Sequence, residues 1–145
     1  MNSNMYDDFK LKELIKKLTN GTKNSKVLWK KVPRVHYDSI IDRPIVDSQI
    51  KDSFYTDKNT SRIVVGKYQS KTYYNEDDYY LDDYYFLTMT DKHYDSTVTF
   101  LETDDGEFGF AFTVALAKLH RLIQLNTYFV QDKIDDWLEE DFDWD

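Results

Sequence analysis

The stretch QIKDSFYTDKNTSRIVVGKYQ, residues 49–69, decides the fold class. Ile63, Val64, Val65 and Tyr68 are β-branched or aromatic and suit a pleated surface. Asp57-Lys58-Asn59-Thr60 is a polar turn between two such runs, so Gln49–Thr56 and Ser61–Gln69 read as a hairpin. Downstream, Tyr84–Thr90 and Thr97–Glu102 read as two further strands joined by Asp91–Ser96. Upstream, Lys26–Val32 reads as a short strand around Val27, Leu28 and Trp29, closed by Pro33. Residues 34–48 contain Pro44 and have poor periodicity, so a loop is expected there.

Helices flank these strands. Leu11, Leu14, Ile15 and Leu18 fall on one face of an amphipathic helix spanning Met5–Leu18, and Asn20-Gly21 reads as its stop. Asp105-Gly106 is a turn signal. Phe108, Phe110 and Phe112 after it fit either another hairpin or a short extended lead into a helix from about Phe112. The helical spacing then runs through Leu116, Leu119, Leu122, Ile123, Val130, Ile134, Trp137 and Leu138. Asn126-Thr127 interrupts that stripe and would kink or split the helix, with Thr127 as a new N-cap. The expected architecture is α+β: an N-terminal amphipathic helix, a curved antiparallel sheet of about five strands, and a long C-terminal helix packed on one face.

A chain of 145 residues and 17.4 kDa without a Pro/Gly/Ser linker is one domain, 1–145, ending in an acidic-aromatic tail from about residue 139. Its 12 Tyr, 9 Phe and 3 Trp offer enough apolar area for one core despite 32% charged residues. The absence of cysteine excludes disulfides, thiol catalysis, iron–sulfur clusters and cysteine-ligated zinc. With no apolar run near 18 residues and no signal peptide, the expectation is a soluble, cytoplasmic protein with no membrane role.

Charge is divided along the chain. Residues 1–72 carry 15 basic and 8 acidic side chains, and residues 73–145 carry 4 and 19, which together give the net charge of -8. Three acidic clusters account for the second half. They are Glu76-Asp77-Asp78 with Asp82-Asp83; Glu102 with Asp104, Asp105 and Glu107; and the eight carboxylates from Asp132 to Asp145. Such clusters repel nucleic acid and steer basic surfaces toward the protein. The basic half is less informative. Lys10, Lys12, Lys16 and Lys17 read as the wet face of a helix, and Lys30-Lys31 with Arg34 is too short for a nucleic-acid stripe.

No chemical signature emerges from the remaining motifs. His36, His93 and His120 are not spaced as metal ligands, and each reads as an ordinary surface or boundary residue. The carboxylates lie in solvated clusters, whereas a general acid needs burial to raise its pKa. Neither Asp77–Asp83 nor Asp104–Glu107 has the spacing of a calcium loop. With four glycines there is no phosphate-binding loop and no G-x-S-x-G elbow. No catalytic residue, metal or cofactor is expected.

Recognition remains. Tyr73, Tyr74, Tyr79, Tyr80, Tyr84 and Tyr85 are half of all the tyrosines and sit among the carboxylates of residues 73–85. Tyrosine gives interfaces a rigid apolar ring with a polar tip. The candidate partner-binding residues are Glu76, Asp77, Asp78, Tyr79, Tyr80, Asp82, Asp83, Asp104, Asp105, Glu107, Asp135, Asp136, Glu139, Glu140 and Trp144. Trp137 and Leu138 have the spacing to dock the helix end onto the core, whereas Phe142 and Trp144 suit a basic, grooved partner.

Four segments carry a resemblance: Leu14-Ile15-Lys16-Lys17-Leu18-Thr19; Val27-Leu28-Trp29-Lys30; Tyr84-Tyr85-Phe86-Leu87; and Leu116-Ala117-Lys118-Leu119-His120-Arg121-Leu122-Ile123. Together they resemble a loose group of small uncharacterised α+β proteins of AT-rich Gram-positive bacteria and their phages and mobile elements. That resemblance implies the fold and a mobile-element setting and brings no catalytic residue. The function expected is a non-enzymatic acidic module that inhibits a nucleic-acid-handling host protein by binding its basic surface, with DNA mimicry as one form. It would not itself bind nucleic acid. The alternatives are an immunity or antitoxin protein against a basic nuclease, and a small-molecule-binding or enzymatic α+β domain with a pocket between sheet and helix.

Overall fold

The computed structural model describes residues 8–101 and 109–139. Helix α1 spans Asp8–Lys23, strand β1 Lys30–Lys31, β2 Ser48–Lys58, β3 Ser61–Tyr73, β4 Tyr79–Asp91 and β5 Val98–Leu101. Helices α2, Gly109–Thr127, and α3, Val130–Glu139, follow. The fold is α+β, and its five strands form one open antiparallel sheet in the order β1-β2-β3-β4-β5. Every strand pairs with its sequence neighbour, through short turns everywhere except the connector between β1 and β2.

Alternation along the strands sends side chains to two separate cores. Phe54, Val65, Leu87 and Phe100 face α1 and α2, where Leu11, Ile15, Leu18, Leu116, Leu119 and Ile123 meet them. Val64, Tyr68, Phe86 and Leu101 face the opposite side and are covered by Val32, Ile40 and Ile41 from the connector between β1 and β2. That connector contains a 3₁₀ helix, Arg34–Ser39. It is fastened to the sheet by polar bonds. Thr88 donates to the Ile40 carbonyl at 2.7 Å, Asp42 exchanges two bonds with Thr99, and Arg43 Nη2 donates to the Thr99 carbonyl at 2.8 Å. The irregular stretch therefore acts as the lid of a second core.

Several sequence expectations need correction. Helix α1 runs through Asn20-Gly21, and the left-handed residue that ends the segment is Ser25, at φ 58°. Gly21 serves another purpose, because a Cβ there would collide with Val27. The expected strand Lys26–Val32 shrinks to two residues, since only Lys30 and Lys31 pair with β2. The polar stretch 70–83 is strand except for its turn, and β3 and β4 form thirteen rungs from Ser61↔Asp91 to Tyr73↔Tyr79. The C-terminal helix splits at Phe129, with φ 55°, two residues beyond Thr127, which lies inside α2. Asn126 instead donates to the Thr22 carbonyl at 2.7 Å and joins α2 to the end of α1. The docking considered for Trp137 and Leu138 does not occur, because they are 68% and 77% exposed and α3 buries no residue.

Candidate functional site

Beyond Tyr84 the paired strands β3 and β4 continue as an arm held by side chains. Tyr68 stacks on Tyr84 at 5.4 Å, the Tyr73 and Tyr79 rings lie 5.4 Å apart, and Lys71 sits over the Tyr79 ring. Thr72 donates to Asp82 at 2.7 Å, and Gln69 donates to Asp83 at 3.3 Å. Such cross-strand pairs stabilise a sheet where apolar alternation is missing. At the tip, Asn75 Oδ1 accepts the backbone N–H groups of Asp77 and Asp78, while its amide donates to the Asp78 carboxylate. An Asx turn thus closes the arm.

The tip gathers exposed aromatic and acidic groups. Tyr74 is 67% exposed and stacks beside Tyr80 at 6.2 Å, and Tyr73, Tyr79, Tyr80 and Leu81 are also open to solvent. Glu76, Asp77 and Asp78 lie in the turn between them. Among the sequence candidates, Glu76, Asp77, Asp78, Tyr79 and Tyr80 share the arm tip, with Tyr79 beside Tyr73 on one face and Tyr80 stacked on Tyr74 on the other. Asp82 and Asp83 do not act as one patch. A strand sends neighbouring side chains to opposite faces, and Asp82 shares its face with Tyr84 and Phe86 whereas Asp83 shares that of Tyr85 and Leu87. Asp135, Asp136 and Glu139 are exposed on α3, a separate element. Asp104, Asp105, Glu107, Glu140 and Trp144 lie outside the described residues.

Two features escaped the sequence. A cleft of about 710 Å³ lies over the open edge of β2, lined by Lys31, Arg34, Arg43, Lys51 and Lys67 and by Asp38, Asp52 and Asp83. The available signal was Arg34 and Arg43 in the stretch of poor periodicity, flanked by Lys31 and Lys51. The other feature begins at a bulge. Lys51 and Asp52 together stand opposite Lys67, because the register shifts between Ile50 and Ser53. The bulge turns Asp52 toward α2, where its carboxylate accepts bonds from Gln124 at 3.2 Å and Tyr128 at 3.1 Å, with Lys31 at 3.8 Å. The Tyr128 hydroxyl, then Asp52, holds the Lys31 ammonium above its ordinary pKa, and burial followed by Asp52 pushes the Tyr128 phenol up.

His120 belongs to this network and corrects its sequence assignment, because it is buried at 2% exposure, not a surface or boundary residue. Its Nε2 donates to the Asp52 carbonyl at 2.9 Å, and Phe54 and Tyr85 meet its ring edge-on. Burial pushes its pKa down, so the neutral ring fits this site. Among the described residues no three His, Asp or Glu side chains converge as a metal-holding group, and no helix is long and apolar enough to cross a membrane. No protein-family model, curated protein or solved structure matches this chain.

Proposed function

We propose that the protein is a non-enzymatic interaction module that docks the β3–β4 arm tip onto a basic surface of another protein. The observation that carries this reading is the joint exposure of Tyr73, Tyr74, Tyr79, Tyr80 and Leu81 around Glu76-Asp77-Asp78. Rigid aromatic side chains supply anchors that lose little conformational freedom, and the carboxylates at their rim steer the encounter. The arm presents this group at the end of a paired and stacked hairpin, so little ordering is left for binding. Asp82 and Asp83 stand on opposite faces and form no phosphate-like row, whereas Tyr74 and Tyr80 stack on one face as an aromatic anchor. In the phage or mobile-element setting implied by the resemblance, the partner is a cytoplasmic, nucleic-acid-handling host protein.

The test is capture of partners from host lysate at low and high salt, followed by affinity measurement on the purified partner. Tyr74→Ala with Tyr80→Ala is expected to weaken binding by roughly 30-fold or more, the effect of losing an interface anchor. Glu76→Gln with Asp77→Asn is expected to slow association and flatten its salt dependence. Undiminished binding by the tyrosine variant overturns the assignment.

A further inference from the structure

Beside the arm, the sheet has an incomplete edge. Strand β1 covers β2 only at Phe54 and Tyr55, Val32 adds one bond to the Ser53 carbonyl at 2.8 Å, and the chain then leaves as the connector. The inner side of the same strand is fixed by Lys71, whose N–H donates to the Asp47 carbonyl at 3.0 Å. Antiparallel ladders alternate, so Asp47 and Gln49 bond toward β3 while Ser48 and Ile50 direct their main-chain N–H and C=O groups away from it. Both residues line the cleft. Among the described residues these outward groups have no backbone partner.

The walls of the cleft are basic on a chain whose overall charge is negative. Five cations face three carboxylates. Lys31 pairs with Asp52, Lys67 with Asp83 and Arg43 with the neighbouring Asp42. Arg34 has no ion-pair partner among the described residues, and Lys51 reaches only the neutral Gln49 Oε1 at 3.1 Å. A compact anion would need donors converging on one point. Here the free donors and acceptors sit two residues apart along an edge, the repeat with which a neighbouring strand pairs.

We propose that the β2 edge at Ser48–Ile50 takes up an extended acidic peptide segment as an added strand in line with β1, its carboxylates meeting Arg34 and Lys51. Main-chain pairing provides the affinity, and the two cations select acidic side chains over basic ones.

The probe is a capped hexapeptide alternating aspartate and valine, followed by fluorescence anisotropy and by amide hydrogen exchange on the full chain. The expected result is binding that slows exchange at Ser48 and Ile50 by about tenfold or more. A peptide N-methylated on alternate residues, and one with lysine for aspartate, should each bind about tenfold or more weakly. Arg34→Glu with Lys51→Glu should weaken the aspartate peptide similarly and leave the unfolding midpoint in place, since Arg34 is exposed and half-buried Lys51 bonds only Gln49. Tyr74→Ala with Tyr80→Ala should leave peptide binding unchanged, which separates this site from the arm. Absence of binding, equal binding of the N-methylated peptide, or binding of tripolyphosphate in place of the peptide overturns the proposal.

Discussion

His120 is 68 residues from Asp52 in the chain and 2.9 Å from its carbonyl oxygen. Burial depresses its pKa, so the folded ring stays neutral at a pH where the unfolded chain takes up a proton. The unfolded state then binds more protons, and stability must fall as pH drops below about 6.5, the ordinary histidine value, until the folded pKa is passed. Urea unfolding between pH 8 and pH 5 should show this slope. His120→Gln keeps an N–H donor for the Asp52 carbonyl and cannot titrate, so the variant should lose the slope. Asp57 acts in a lower window. Its carboxylate accepts two bonds from Arg62, at 2.7 and 3.0 Å, which hold its pKa down. That stabilisation is complete above about pH 4 and disappears as pH falls through the depressed value.

Among the elements, β3 sends Val65 into one core and Val64 and Tyr68 into the other, and it has least room at Gly66. A Cβ there would collide with Ser53 Oγ and the Phe86 ring, both of which lie across that position. Gly66→Ala should therefore cost about 1–3 kcal/mol in chemical denaturation, and adding Ser53→Ala should recover part of the loss. The connector offers a second test at this scale. Thr88 bonds both the Ile40 carbonyl at 2.7 Å and Thr99 at 2.9 Å inside the buried layer. Thr88→Val keeps the shape but leaves those groups unsatisfied, for an expected loss of about 1–3 kcal/mol. A smaller loss would mean that the connector is held by Ile40, Ile41 and the bonds of Asp42 and Arg43 to Thr99, with little from Thr88.

Across the whole molecule, the helix-and-sheet body and the exposed elements have different sensitivities. No side chain of α3 is buried, so Leu138→Glu should change stability by no more than about 0.5 kcal/mol, whereas Leu116→Ala in the fully buried helix layer should cost about 2–5 kcal/mol. A large loss from Leu138→Glu would show that α3 contributes to the core. The arm should follow α3, with Tyr74→Ala changing recognition and leaving the unfolding midpoint in place.

Hydrophobic periodicity and turn chemistry are local properties, and they determined the amphipathic start at Leu11–Leu18, the hairpin around Asn59, the strands containing Phe86 and Phe100, and the α+β class. The Tyr- and Asp-rich composition of residues 73–85 likewise singled out the segment whose tyrosines are exposed at the arm tip. Only the tertiary structure made that segment a strand, because Thr72–Asp82, Gln69–Asp83 and the tyrosine pairs act between residues that meet when β3 and β4 pair. It also divided Asp82 from Asp83, buried His120, turned residues 32–47 into the cover of a second core, and left the β2 edge open between cations. Those outcomes depend on which residues become neighbours across the sheet, and the spacing of residues along one segment carries no record of the segment that will face it.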